Sequence, residues 1–278
     1  MSQRTPGLQG ATAILVAALL WSSGGFFIKW IPLSGLAVAG GRALVTTAFY
    51  FAFLRPDLRR ARLSTALAYA AMIITFVSAT KRTTAASAVL LQYTGTAWVL
   101  LASARFFAER ITRTDILAVL GCLCGMALCL LDDATGITWQ GNAFGVLSGV
   151  FFAASVLGMR RDAHSQEVSA AASVTLGNLL AMLFCLALSG PELLHGLTVR
   201  ASLGLLWLGV VQMGIAYLLF LRGLKTVKAG AASLLSLLEP AASPLWVWLG
   251  TGERPGLATL AGGALVLGSL GLRAWAQK

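Results

Sequence analysis

Of the chain's 278 residues 58% are apolar, while Asp, Glu, Lys and Arg together make only 11%, about half the share of a soluble domain. The 21 basic residues outnumber the 10 acidic ones, for a net charge of +11, but they are dispersed among short gaps rather than massed in one patch. That dispersal argues against a nucleic-acid partner, and the apolar excess argues against water as the main solvent.

Ten apolar stretches follow one another, each about as long as a bilayer crossing: 10–30, 34–54, 63–80, 84–105, 114–131, 139–159, 169–188, 200–221, 229–249 and 256–275. Hydrocarbon offers no water to backbone groups, so each stretch is expected to close its own hydrogen bonds as a helix. The first, from Ala11 to about Phe27, is followed by no Ala-x-Ala-like cleavage site and reads as a retained helix. Arg42 enters the second from the outer side and is expected to snorkel to that surface, with binding of a substrate carboxylate as the alternative. Cys122, Cys124, Cys129 and Cys185 lie inside apolar stretches without metal-ligand spacing, so neither a metal nor a cofactor is expected. Gly121-x-x-x-Gly125 and Gly141-x-x-x-Gly145-x-x-x-Gly149 are spaced for close helix packing. Trp30, Trp139, Trp246, Trp248 and Trp275 fall near span ends and read as interfacial anchors.

With a cytoplasmic N-terminus, one side holds Arg4, Arg55, Arg59, Arg60, Arg62, Arg105, Arg110, Arg113, Arg160, Arg161, Arg222, Lys225, Lys228, Arg273 and Lys278. The other keeps Lys29, Lys81, Arg82, Arg200 and Arg254, and that bias puts both termini in the cytoplasm. Sliding the chain by 144 residues lays Lys81 on Lys225, Ala85 on Ala229, Leu90-Leu91 on Leu234-Leu235 and Glu109-Arg110 on Glu253-Arg254. A slide of 131 lays Ala11–Trp30 on Asn142–Arg161, with Trp21 opposite Phe152 and Lys29 opposite Arg160. The expectation is an all-α membrane protein of ten transmembrane helices in two inverted five-helix repeats, residues 1–135 and 136–278. Inverted repeats point to a transporter with its site between the halves; chance similarity of Ala/Leu-rich helices is the competing explanation.

Glu239 is the acidic residue placed deepest in a span, where a carboxylate costs several kcal/mol unless protonated or paired. It is either a partner for a substrate amine or a proton, or one half of a structural Glu-Pro pair with the kink-forming Pro240. Ser236, Glu239 and Ser243 share a helical face, and the 144-residue slide puts Gln92, Gly95 and Val99 opposite them with Thr96 alongside. Trp21 lies mid-span, and its repeat partner Phe152 shares a face with Ser148 and Ser155. Thr75 and Gln212 occupy similar depths. The candidate substrate-binding set is therefore Trp21, Thr75, Gln92, Thr96, Phe152, Ser155, Gln212, Ser236 and Glu239, with interhelical hydrogen bonding and simple packing as the alternatives. An intramembrane enzyme is disfavoured, because His164 and His195 lie in predicted loops on opposite sides and no paired acids sit within the spans. A channel or scaffold stays open.

Ala229–Gly271, with Leu-Leu-Glu-Pro at 237–240, Gly252-Glu253-Arg254-Pro255 in the next loop and a Gly-rich last helix, resembles the second EamA-type repeat of the drug/metabolite transporter superfamily. In the first half Phe107-Ala108-Glu109-Arg110 fits, while Thr96 stands where that superfamily's fourth helix usually has proline. The resemblance extends to bacterial amino acid exporters, including those for aromatic amino acids. It implies a small-molecule substrate, export across a bacterial inner membrane and a lipid bilayer as surroundings. Export of drugs or other metabolites is the alternative it leaves, and oligomeric state is not readable.

Overall fold

The computed structural model describes residues 6–107, 110–129, 138–251 and 257–276, and among these every regular element is helical. The first half holds α1 (Pro6–Trp21), α2 (Gly24–Trp30), α3 (Gly35–Phe53), α4 (Leu63–Arg82), α5 (Ala85–Tyr93), α6 (Gly95–Phe107) and α7 (Arg113–Cys129). Then come α8 (Trp139–Ala163), α9 (Ala170–His195), α10 (Val199–Leu206), a π-helical stretch Trp207–Ile215, α11 (Ala216–Leu224), α12 (Ala229–Leu235), α13 (Leu238–Thr251) and α14 (Leu257–Ala276). Among the described residues seven stretches are long and apolar enough to cross a membrane: Gly7–Trp30, Gly35–Phe53, Leu63–Arg82, Ser87–Phe107, Trp139–Ala163, Ala170–His195 and Val199–Leu224. Arg4, Glu109, the 252–255 loop motif with Arg254, Lys278 and the boundary at 135/136 lie outside the described residues, as do the side chains of Arg273 and Trp275.

Hydroxyl side chains start the helices. Ser34, Thr84, Thr138, Ser169 and Thr198 each accept from the backbone N–H three residues on, satisfying one of the donors a helix start leaves free. Helix α9 runs on to His195, seven residues beyond the predicted end at 188 and through Pro191. Proline forfeits one intrahelical bond there, close to the helix end. The extension is fastened to the start of α3, where Ser34 donates its backbone N–H and its Oγ to the two carboxylate oxygens of Glu192, both at 2.6 Å.

Two ends of the bundle are tied differently. At one, Lys29 at the end of α2 donates to the carbonyl of Thr83 just past α4 (2.7 Å), and Lys81 near the end of α4 donates to that of Ile31 just past α2 (2.6 Å). Each cation meets a helix C-terminus, where partial negative charge collects. At the other end, Arg62 before α4 pairs through Nε with Asp162 near the end of α8 (2.6 Å). Ser173 of α9 donates its Oγ to the second Asp162 oxygen (2.7 Å) and accepts from the Arg62 N–H (2.9 Å). The end of α2 therefore meets the end of α4, whereas the end of α8 meets its start, so α2 and α8 run in opposite directions.

The glycine motifs lie at the closest crossings. A Cβ on Gly95 would fall 2.3 Å from the Gly149 carbonyl oxygen, and one on Gly149 2.9 Å from the carbonyl oxygens of Leu91 and Gln92. A Cβ on Gly125 would fall 2.6 Å from the Gly262 carbonyl oxygen. These approaches are backbone on backbone, which a side chain of any size would push apart.

Candidate functional site

Four of the helical stretches break at mid-depth, each for its own reason. Between α1 and α2, Ser22 and Ser23 turn their hydroxyls back on the carbonyls of Leu19 (2.6 Å) and Leu20 (2.8 Å), competing with the helix ladder. Between α5 and α6, Thr94 does the same to Leu91 (2.6 Å), and the neighbouring Gly95 lets the chain rest on Gly149. The break expected of a proline thus forms without one. Between α12 and α13, Leu237 and Glu239 bond three residues back, to Leu234 (3.0 Å) and Ser236 (2.9 Å), one turn before the missing N–H of Pro240. In the π-helical stretch, carbonyls are received by α3: Thr46 donates to Gly209 (2.9 Å), and Tyr50 to Met213 (3.3 Å) and Gly214 (3.0 Å).

A cavity of about 30 Å³ lies among these breaks, lined by Trp21, Arg42, Met72, Ile73, Phe76, Gln92, Tyr93, Phe152, Gln212, Met213, Tyr217 and Glu239. Five predicted residues, Trp21, Gln92, Phe152, Gln212 and Glu239, are brought together there. Trp21 packs on Tyr217 with ring centroids 4.8 Å apart, and Phe152 on Tyr93 at 5.4 Å. The Tyr93 hydroxyl donates to Glu239 Oε2 at 2.6 Å.

The other four predicted residues are buried beside the cavity without lining it. Thr75 donates to the carbonyls of Ala71 (2.6 Å) and Met72 (3.1 Å), and Ser236 to Ala232 (2.9 Å). Ser155 donates to the Phe152 carbonyl (2.9 Å) and approaches the Met72 sulfur (3.4 Å). The Thr96 hydroxyl is buried without a protein partner.

Arg42 does not snorkel. It is 1% exposed, with NH2 donating to the Ile73 carbonyl (3.3 Å) and NH1 to Gln212 Oε1 (3.5 Å). Its α3 is packed on α4, α9 and the π-helical stretch, so the side chain points into the bundle rather than along its surface. Tyr93 and Tyr217 line the cavity as well; only their depth in apolar stretches sets them apart in the sequence. Trp246 is likewise no interfacial anchor: its Nε1 donates to Ser22 Oγ (2.8 Å), as Trp207 Nε1 does to Ser23 Oγ (3.0 Å). Both indoles clamp the α1–α2 break, and Phe27 stacks on Trp207 at 5.3 Å. Trp139 and Trp248 do face outward, at 76% and 46% exposed.

A second, larger recess of about 540 Å³ opens at the Arg62 end, between the start of α1, the end of α6, the start of α7 and α12. At the Lys29 end the two lysine ties join α2 to α4.

The profile of the EamA-like transporter family matches residues 8–131 and 139–273. An uncharacterized transporter of Archaeoglobus fulgidus is 30% identical over 279 residues, covering 96% of this chain and 97% of that one. A solved crystal structure superposes with a TM-score of 0.79 at 20% identity over 96% of each chain, a likeness of fold alone.

Proposed function

Because the chain belongs to the EamA-like transporter family, we propose that it is a secondary carrier exporting amino acids across a bacterial inner membrane. In this reading ten spans form two inverted repeats, 1–135 and 136–278, both termini are cytoplasmic, and the halves alternate access to the cavity between them. The observation that carries it is the burial of one cation, Arg42, and one carboxylate, Glu239, in a single cavity at mid-bundle. Opposite charges so placed are costly in a bilayer and match a zwitterion.

The repeat is supported by the opposed directions of α2, the second part of the first span, and α8, the first helix of the second half, and by a matched pair of contacts. Lys29 donates to the carbonyl just past α4, and Arg160, its partner under the 131-residue slide, donates to the Leu224 carbonyl at the end of α11. Helix pairings also survive exchange of the halves: α1 packs on α11 as α8 packs on α4, while α3 with α9 and α7 with α14 map onto themselves. Access from the cytoplasm is supported by the recess at the Arg62 end, where the basic majority gathers. The cavity, at about 30 Å³, has room for little more than a water or two, so in this reading the halves part to admit an amino acid.

Purified protein in liposomes loaded with a panel of unlabelled amino acids is expected to show saturable counterflow of the labelled ones, measured with and without a pH gradient. Flux linear in concentration would instead indicate a channel, and absence of flux for the whole panel would remove the amino acid assignment.

A further inference from the structure

Arg42 offers five N–H donors and accepts nothing. Two are used, at 3.3 and 3.5 Å, both beyond the usual N–H···O range, and its Nε meets no acceptor among the described residues. Trp21, 4% exposed and lining the same cavity, also has a buried Nε1–H without an acceptor among the described residues. An unmade buried hydrogen bond costs about 1–3 kcal/mol, and here two such donors, on α1 and α3, belong to side chains that line one small cavity. The cavity's carboxylate does not resolve this. Glu239 is engaged by Tyr93, and the ion pair found among the described residues is Arg62–Asp162, at the bundle's end.

We infer that Arg42 and Trp21 form a carboxylate subsite, which sets the substrate's orientation: its carboxylate on the guanidinium and indole N–H, its ammonium on Glu239. This deepens the carrier reading and rests on it for taking the central cavity as the substrate site. A carboxylate is an acceptor-only group whose two oxygens match the planar guanidinium fork, and a tryptophan N–H is donor only. The Gln212 and Ile73 contacts that hold Arg42 are long, so a charge-assisted bidentate pair displaces them at little cost. The subsite also makes both charges of the substrate necessary. An amine alone leaves Arg42 uncompensated in a low-dielectric interior, and an acid alone leaves the ammonium site unfilled beside Glu239.

Three probes with one side chain separate these contributions: phenylalanine, phenethylamine, which lacks the carboxylate, and 3-phenylpropanoate, which lacks the amine. Affinities come from the rise in melting temperature of the full chain in lipid nanodiscs. Phenylalanine is expected to bind about tenfold or more tightly than either analogue, the worth of one charge-assisted contact. In Arg42→Gln its advantage over phenethylamine should shrink to about twofold or less, while Arg42→Lys, which keeps the charge but not the fork, falls between. Equal binding of phenylalanine and phenethylamine to the wild type would overturn the subsite, as would retained discrimination in Arg42→Gln or no stabilisation by phenylalanine. The wild-type comparison stands even where a variant fails to fold. Discrimination among the probes without any counterflow in liposomes would leave the subsite in place and remove the carrier reading instead.

Discussion

Glu239→Gln is expected to lower amino acid counterflow about 10- to 150-fold, the equivalent of losing a charged hydrogen-bond partner worth about 1.5–3 kcal/mol. The substitution keeps the side chain's length and an amide oxygen that still accepts from Tyr93, the contact observed at 2.6 Å. Fold and membrane insertion are therefore expected to stay at wild-type levels, checked by melting temperature and yield. What changes is charge: Arg42 becomes the one charged side chain lining the cavity, and a substrate ammonium loses its counter-ion in a medium that screens poorly. If Glu239 were only the structural partner of Pro240, the Gln variant would transport normally, because the helix break is made by backbone bonds to Leu234 and Ser236 that do not involve the carboxylate.

The largest expected effect on stability lies elsewhere, at Asp162. Its side chain is fully buried and takes both the Arg62 guanidinium and the Ser173 hydroxyl, joining α4, α8 and α9. Removing one member of such a pair strands the other. Asp162→Ala is expected to cost about 3 kcal/mol, the low end of the 3–5 kcal/mol typical of buried pairs, because Arg62 keeps 26% of its side-chain surface exposed and recovers some hydration. The readout is a melting temperature several degrees lower in nanodiscs, with Arg59→Ala, an exposed neighbour, as the unshifted control. A wild-type melting temperature for Asp162→Ala would mean that the α4–α8 junction owes nothing to this pair.

The helical, membrane-spanning character was legible because apolar length is a direct requirement of hydrocarbon, and the close crossings were legible because glycine spacing has few other uses in an apolar helix. What failed was any inference that treated a span as one straight rod. Ser236 and Glu239 lie on one face only if the ninth stretch keeps 100° per residue, and it breaks between them, so Glu239 reaches the cavity while Ser236 bonds to its own helix. Position along a span misled in the same way. Arg42 and Trp246 sit where an outward-pointing side chain would reach the interface, but which neighbours a helix packs against decides where its side chains point, and packing is not written in one segment. Arg42's role in particular depends on Gln212 and Ile73, 170 and 31 residues away in the chain. The π-helical stretch gave no local signal either, since its carbonyls are held by Thr46 and Tyr50 of α3.

A polar cavity between the two halves, wetted in the transport cycle, is tested most directly by thiol accessibility. With the four native cysteines replaced, Gln92→Cys, on the cavity wall, is compared with Leu101→Cys, 58% exposed on the outside of α6. A small charged, membrane-impermeant thiol reagent is expected to modify the cysteine at 92, more slowly when phenylalanine is present, and to leave the one at 101 untouched. A cysteine at 92 that resists the charged reagent and yields only to a lipid-soluble maleimide, as the one at 101 should, would place Gln92 against lipid and contradict the account.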